Sequence, residues 1–326
     1  MRVLVLGAAG MVGRKLIERL LADGTLRGQT ISAIHGFDVV EANFDYAGPI
    51  ALAMEAGDVS EPAVVKGLVA LRPDVIFHLA AIVSGEAESD FEKGYRVNMR
   101  GTQNLLDAVV GIQNYVPRVV YASSIAVFGA PFPDAIDDDF HLTPLTSYGT
   151  QKAIGEMLLA DYTRKGLMDG IGIRLPTIVV RPGKPNLAAS GFFSNIIHEP
   201  LVGRPATLPV SDDVRHWMAS PRSAVGFCIH AAEIDGNDIG PRRNLTMPGL
   251  SITVGEMIDA LARVAGQDTA ALIERKPDAT ISDIVAGWPR NFLSERAQSL
   301  GFVAEQTFDE IIQAHIEDEL GGSIPG

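Results

Sequence analysis

The chain has 326 residues, 47% of them hydrophobic and 21% charged, enough for a sizeable core in one large domain or slightly more. With 40 Asp and Glu against 27 Lys and Arg, the formal net charge is -13 and no basic run offsets it, which excludes a general attraction for nucleic acid phosphate. The single cysteine, Cys228, excludes an intramolecular disulfide and sits in an apolar helix-like segment as a small buried hydrophobe. No apolar run approaches the ~18 residues of a membrane span. A strand begins at Arg2 with no secretory segment before it, so a cytoplasmic protein is expected.

Arg2 to Leu6 is an apolar run that stops at Gly7, the pattern of a buried parallel strand. Met11, Val12, Leu16, Leu20 and Leu21 then recur at helical spacing, with Arg14, Lys15, Glu18 and Arg19 on the other face and Gly24 at the end. A second strand spans 30–38 and a third 50–57. Pro62 opens a helix to Leu71. A fourth strand spans 74–81, a long helix 91–110, a fifth strand 118–123 and a helix 148–165. A sixth strand leads into Pro176. Strands alternating with helices predict an α/β fold with a doubly wound parallel sheet of the Rossmann type.

The pattern loosens after Pro176. Residues 1–175 are expected to form the dinucleotide-binding domain, with 219–245, including a helix at 221–234, returning to it. Residues 176–218 and 246–318 then make a smaller, mixed substrate-binding lobe, and 319–326 a tail. Thr253 and Glu256 fit a capping box at the start of a helix in that lobe.

Chemistry concentrates at the predicted strand ends. Gly7, Gly10 and Gly13 form a G-x-x-G-x-x-G turn between strand and helix, where backbone approaches a pyrophosphate and a helix N-terminus favours its charge. Asp38 ends the second strand and can accept both ribose hydroxyls of NAD while repelling the 2′-phosphate of NADP. No Arg or Lys lies between Gly28 and Gly57 to receive that phosphate. Asp58 either meets the adenine amino group or serves as an acid at a helix N-terminus. Ser123 and Ser124 end the fifth strand. Tyr148 and Lys152 lie one helical turn apart, where the ammonium is expected to lower the phenol pKa and ready it as a base for an alcohol proton. Asn98 falls mid-helix, where Asn forms helix poorly, so a bond to neighbouring backbone is expected. His78, His198 and His216 share no ligand spacing with Cys or carboxylates, so no metal site is expected. Phe192, Phe193, Ile196 and Ile197 are expected in core or pocket wall.

Gly7, Gly10, Gly13, Asp38, His78-Leu79-Ala80-Ala81, Asn98, Ser123-Ser124 and Tyr148/Lys152 together resemble the extended short-chain dehydrogenase/reductase superfamily, in its epimerase/dehydratase-like branch. The resemblance covers the whole chain and includes Ala297-Gln298-Ser299-Leu300-Gly301-Phe302, similar to that branch's A-x-x-L-G-F signature. It implies NAD as cofactor, Tyr148 as general base, Lys152 on the ribose, and Ser124 on the reacting oxygen. It further implies cofactor contacts from Gly7, Gly10, Met11, Val12, Gly13, Asp38, Asp58, Val59, Leu79, Ala80, Ala81, Asn98, Tyr148, Lys152 and Pro176. Substrate contacts fall to Ser84, Ser124, Tyr148 and Arg215. A homodimer formed through helices 91–110 and 148–165 is also implied.

Within that branch, Arg174 to Gly183, Pro185 to Ser190 and Asp213 to Ser220 are similar to D-erythronate dehydrogenases, which oxidise the C2 hydroxyl of a four-carbon sugar acid. The nucleotide-sugar epimerases carry an Asn in an Arg-x-x-Asn context, whereas this chain has Arg174-Leu175-Pro176-Thr177. That departure favours a small acid over a nucleotide sugar. Arg215 could then hold a carboxylate bidentately, or pair at the surface with Asp212 or Asp213. The alternative activity is a nucleotide-sugar epimerase or dehydratase that recycles bound NAD.

Overall fold

A computed structural model describes residues 1–182 and 190–324. Strands β1 (Arg2–Leu6), β2 (Ala33–Asp38), β3 (Ala51–Ala56), β4 (Val75–His78), β5 (Arg118–Ser124) and β6 (Asp169–Leu175) alternate with helices. The principal helices between them are α1 (Met11–Asp23), α2 (Pro62–Ala70), α3 (Gly101–Val110) and α4 (Ser147–Arg164). A two-residue strand, β7 (Thr177–Ile178), and helix α5 (Gly191–Leu201) follow. Next come β8 (Arg215–Ala219), α6 (Pro221–Glu233), β9 (Asn244–Thr246), β10 (Leu250–Thr253), α7 (Val254–Ala265) and α8 (Phe308–Glu319).

The main sheet has seven strands in the order β9-β6-β5-β4-β1-β2-β3. Every neighbouring pair is parallel. The order reverses direction between β4 and β2 around β1, so a crevice opens beyond the carboxyl ends of β1 and β4, where ligands of such sheets bind. Val3, Leu4, Val5 and Leu6 of β1 are buried because helices cover both faces. Each such aliphatic side chain contributes about 1.5–3 kcal/mol when fully buried.

After β7 the chain builds a second core from Phe192, Phe193, Ile196 and Ile197 of α5, Met257 and Leu261 of α7, and Ile311 and Ile312 of α8. Helix α6 packs on the first core, where Phe227, Cys228 and Ala231 meet Leu16, Ile17 and Leu20 of α1. The buried Arg118 guanidinium, at the start of β5, donates to Ala231 O at 3.1 Å and Ile234 O at 2.6 Å. Cys228 is fully buried, and burial pushes its thiol up to about 12. The Thr253–Glu256 capping box forms at the start of α7 as its spacing predicts. Helix α8 runs through Glu319, whose carboxylate pairs with Lys15 of α1. Among the described residues, no helix is long and apolar enough to cross a membrane.

Two elements differ from expectation. The fourth strand ends at His78 rather than continuing to Ala81, and Leu79 and Ala80 pass close against the Gly7 turn. The long helix at 91–110 forms as expected but is not α-helical throughout. Phe91–Gly94 is α-helical, Tyr95–Arg100 is a π-helical turn, and α3 follows. The π turn carries Asn98, whose side chain is bonded outside the helix.

Candidate active site

The turn between β1 and α1 works only with glycine. Gly7 has φ +90°, and a Cβ there would lie 2.7 Å from Ala80 N. A Cβ on Gly13 would lie 2.0 Å from Gly7 O. The N-cap is Gly10, and no side chain caps α1, so its first-turn N–H groups at Met11, Val12 and Gly13 keep no side-chain acceptor. That cradle fits the pyrophosphate of NAD. Asp38 sits beside it at the end of β2, where its Oδ2 accepts from Ala9 N–H at 2.9 Å. The acid is thereby tied to the glycine turn itself.

Ser124 ends β5, and Tyr148 and Lys152 rise from the first turns of α4, which Thr146 caps by accepting from Gly149 N–H at 3.1 Å. The three side chains come together at the carboxyl edge of the sheet. The buried Lys152 Nζ donates to Ala122 O at 2.8 Å and lies 5.7 Å from the Tyr148 ring centre. Here the expected lowering of the phenol pKa is corrected. Burial pushes Tyr148 up to about 12, and only the neighbouring Ser124 hydroxyl pulls it down. Burial also pushes Lys152 down to about 8, against the field of Glu156. Spacing brought the two side chains together, but desolvation sets the direction of the phenol's shift.

Glu156, one turn beyond Lys152, is the residue the sequence reading missed. It is fully buried and accepts from Ser123 Oγ at 2.5 Å, and from Arg174 Nε and Nη2 at 3.0 and 2.8 Å. Ser123 is thus committed to this ion pair, which leaves Ser124 to face Tyr148. Extending the Tyr148/Lys152 stripe by four more residues would have found it. Asn98 clamps the loop after β4. Its Oδ1 accepts from Ile82 N–H at 2.8 Å, and its Nδ2 donates to Gln151 Oε1 of α4 at 2.7 Å.

Other expected contacts lie around this centre. Asp58 accepts from Ser60 N–H at 2.8 Å and pairs with Arg96 at 2.6 Å, so both its oxygens are engaged. Val59 is buried against Gly101. Leu79, Ala80 and Ala81 form the loop beside Gly7, Ser84 opens the short helix Ser84–Ser89, and Pro176 links β6 to β7. Arg215 donates to Ser251 O at 2.8 Å and lies 3.3 Å from Glu256. The acid beside it is therefore Glu256, not Asp212 or Asp213. Asp212 pairs with Arg275 at 2.6 Å, and Asp213 accepts from Ser211. His78 is a buried strand histidine whose Nε2 is bonded to Thr102 at 2.8 Å while its Nδ1 has no partner among the described residues, and burial keeps it neutral. Residues 183–189, which carry most of one stretch similar to D-erythronate dehydrogenases, lie outside the described residues.

A seven-stranded Rossmann sheet with a glycine cradle, and a Ser, Tyr and Lys at its carboxyl edge, is the arrangement of an NAD-dependent enzyme acting on a CH–OH group. Residues 3–221 match the NAD dependent epimerase/dehydratase family, and the chain belongs to that family. A D-erythronate dehydrogenase of Cupriavidus necator is 45% identical over 323 residues, covering 98% of each chain. A second, from Haemophilus influenzae, is 38% identical over 320 residues, covering 98% of this chain and all of the other. A crystal structure from Agrobacterium tumefaciens, described as a nucleoside-diphosphate-sugar epimerase, superposes with a TM-score of 0.97. It is 60% identical and covers 100% of this chain and 96% of that one.

Proposed function

We propose that this protein oxidises the C2 hydroxyl of D-erythronate to the 2-oxo acid, as a cytoplasmic enzyme. The observation that carries the reading is the Ser124, Tyr148 and Lys152 set beside the glycine cradle. The Ser124 hydroxyl and the Tyr148 phenolic oxygen hold the C2 oxygen. Tyr148, as phenolate, takes its proton. NAD bound at the cradle supplies the two-electron acceptor. Lys152, fixed by Ala122 O, holds positive charge behind the phenolate and stands ready for a ribose hydroxyl. The two D-erythronate dehydrogenases similar to nearly the whole chain support the substrate. The test is formation of NADH from NAD and a panel of aldonic acids, with D-erythronate expected to give the highest kcat/KM.

Asp38 supports a preference for NAD over NADP, since its carboxylate is anchored beside the turn and would face a 2′-phosphate. Wild type should show the higher kcat/KM with NAD, and Asp38→Ala should narrow the ratio. Parallel titrations with the two cofactors check this, and a wild-type preference for NADP would contradict it.

We also infer a homodimer through the helices at 91–110 and 148–165. Phe91 and Met157, each 62% exposed on these helices, support it. Size-exclusion chromatography with light scattering should return twice the 34.8 kDa chain mass.

A further inference from the structure

Thr177 lies two residues beyond Leu175, whose partner in the sheet register is Ser124. Its side chain is half-buried, and its Oγ1 sits 2.6 Å from His216 Nε2. The other ring nitrogen of His216, Nδ1, lies 2.9 Å from Pro289 O. A carbonyl oxygen only accepts, so Nδ1 carries the hydrogen. The ring is 2% exposed, and burial brings its pKa down to about 4, so it is neutral near pH 7 and Nε2 bears a lone pair. Phe193 stacks on the ring at 5.4 Å with 5° between planes, and Trp288 lies 5.3 Å away, so the ring plane is fixed.

The consequence is a fixed polarity. Nε2 must accept, so Thr177 must donate its one hydroxyl hydrogen to it. Toward any other group, Thr177 Oγ1 is then an acceptor only. Such an oxygen repels a carboxylate and rewards a hydroxyl.

We infer that Thr177, locked by His216, accepts a hydrogen bond from a substrate hydroxyl beyond the reacting carbon, and so selects a polyhydroxy acid over a 2-hydroxy acid with an alkyl chain. The inference rests on the sugar-acid reading above and names the part of the substrate that this side of the site recognises. His216 acts through Thr177 and is a positioning residue.

The experiment compares kcat/KM of wild type, Thr177→Val and Thr177→Ser with D-erythronate and with (R)-2-hydroxybutanoate, which lacks both distal hydroxyls. Thr177→Val should lose about tenfold on D-erythronate, the size of one neutral hydrogen bond, and change by less than about twofold on the alkyl acid. Thr177→Ser should stay near wild type. If a folded Thr177→Val loses equally on both acids, or on neither, the inference is overturned. Should Thr177→Val not fold, wild type is assayed with D-erythronates carrying fluorine for hydroxyl at C3 or at C4. Fluorine cannot donate, so one of the two should fall about tenfold. Two fluoro acids turned over as well as D-erythronate would overturn the inference. A wild type that oxidises no sugar acid at all would instead refute the substrate reading itself, before any variant is compared.

Discussion

Replacing Tyr148 by Phe should lower kcat by about 10²–10⁴-fold while NAD affinity changes little, because the substitution removes one oxygen and the proton acceptor with it. The ring fills the same space beside Lys152, so the cradle at Gly7, Gly10 and Gly13 is untouched. The raised phenol pKa adds a pH signature. Tyr148 must be deprotonated to act, and burial favours its neutral form. Oxidation by wild type should therefore climb as pH rises from about 7 to about 9, and reduction of the 2-oxo acid should show the opposite slope. The residual rate of Tyr148→Phe should lack the climb. A mutant that keeps most of the wild-type kcat, or its pH slope, would show that another group takes the proton.

The second large effect is expected at Glu156. Glu156→Ala leaves the Arg174 guanidinium buried without its counter-ion and Ser123 without its acceptor. Removing one partner of a buried pair costs about 3–5 kcal/mol, because the remaining charge is stranded away from water. For a chain of this length that corresponds to a Tm lower by roughly 4–7 °C. Glu156→Gln retains an acceptor for Ser123 and should cost less. Thermal unfolding followed by circular dichroism checks both, and a Glu156→Ala protein melting within about 1 °C of wild type would show that Arg174 finds another partner.

The features legible in the sequence are those fixed by neighbours along the chain. The glycine turn, the Tyr148/Lys152 spacing and the Thr253–Glu256 box each need only a few consecutive residues, and each stands where its spacing placed it. The central strands β1, β4 and β5 are legible as apolar runs because both their faces are covered. What was not legible depends on contacts across the fold. The π turn at Tyr95–Arg100 accompanies Asn98 reaching Ile82 and Gln151, which no local preference encodes. Strand β9 is three residues long and exists by pairing with β6. The direction of the Tyr148 shift depends on how deeply the phenol is desolvated, which spacing alone does not give. Arg215 met Glu256 through the β8–β10 register, which pairs Arg215 with Thr253 at the cap of α7, and not the acids beside it in sequence.

The proposed reaction is net oxidation of a small sugar acid with release of reduced cofactor. The most direct measurement incubates the purified protein with NAD and either D-erythronate or a UDP-sugar, and follows the ultraviolet absorbance of NADH. NADH should accumulate over many turnovers with D-erythronate, with the 2-oxo acid formed in equal amount and no reaction of the UDP-sugar. Epimerisation of a UDP-sugar without accumulation of NADH, together with no NADH from any aldonic acid, would contradict it.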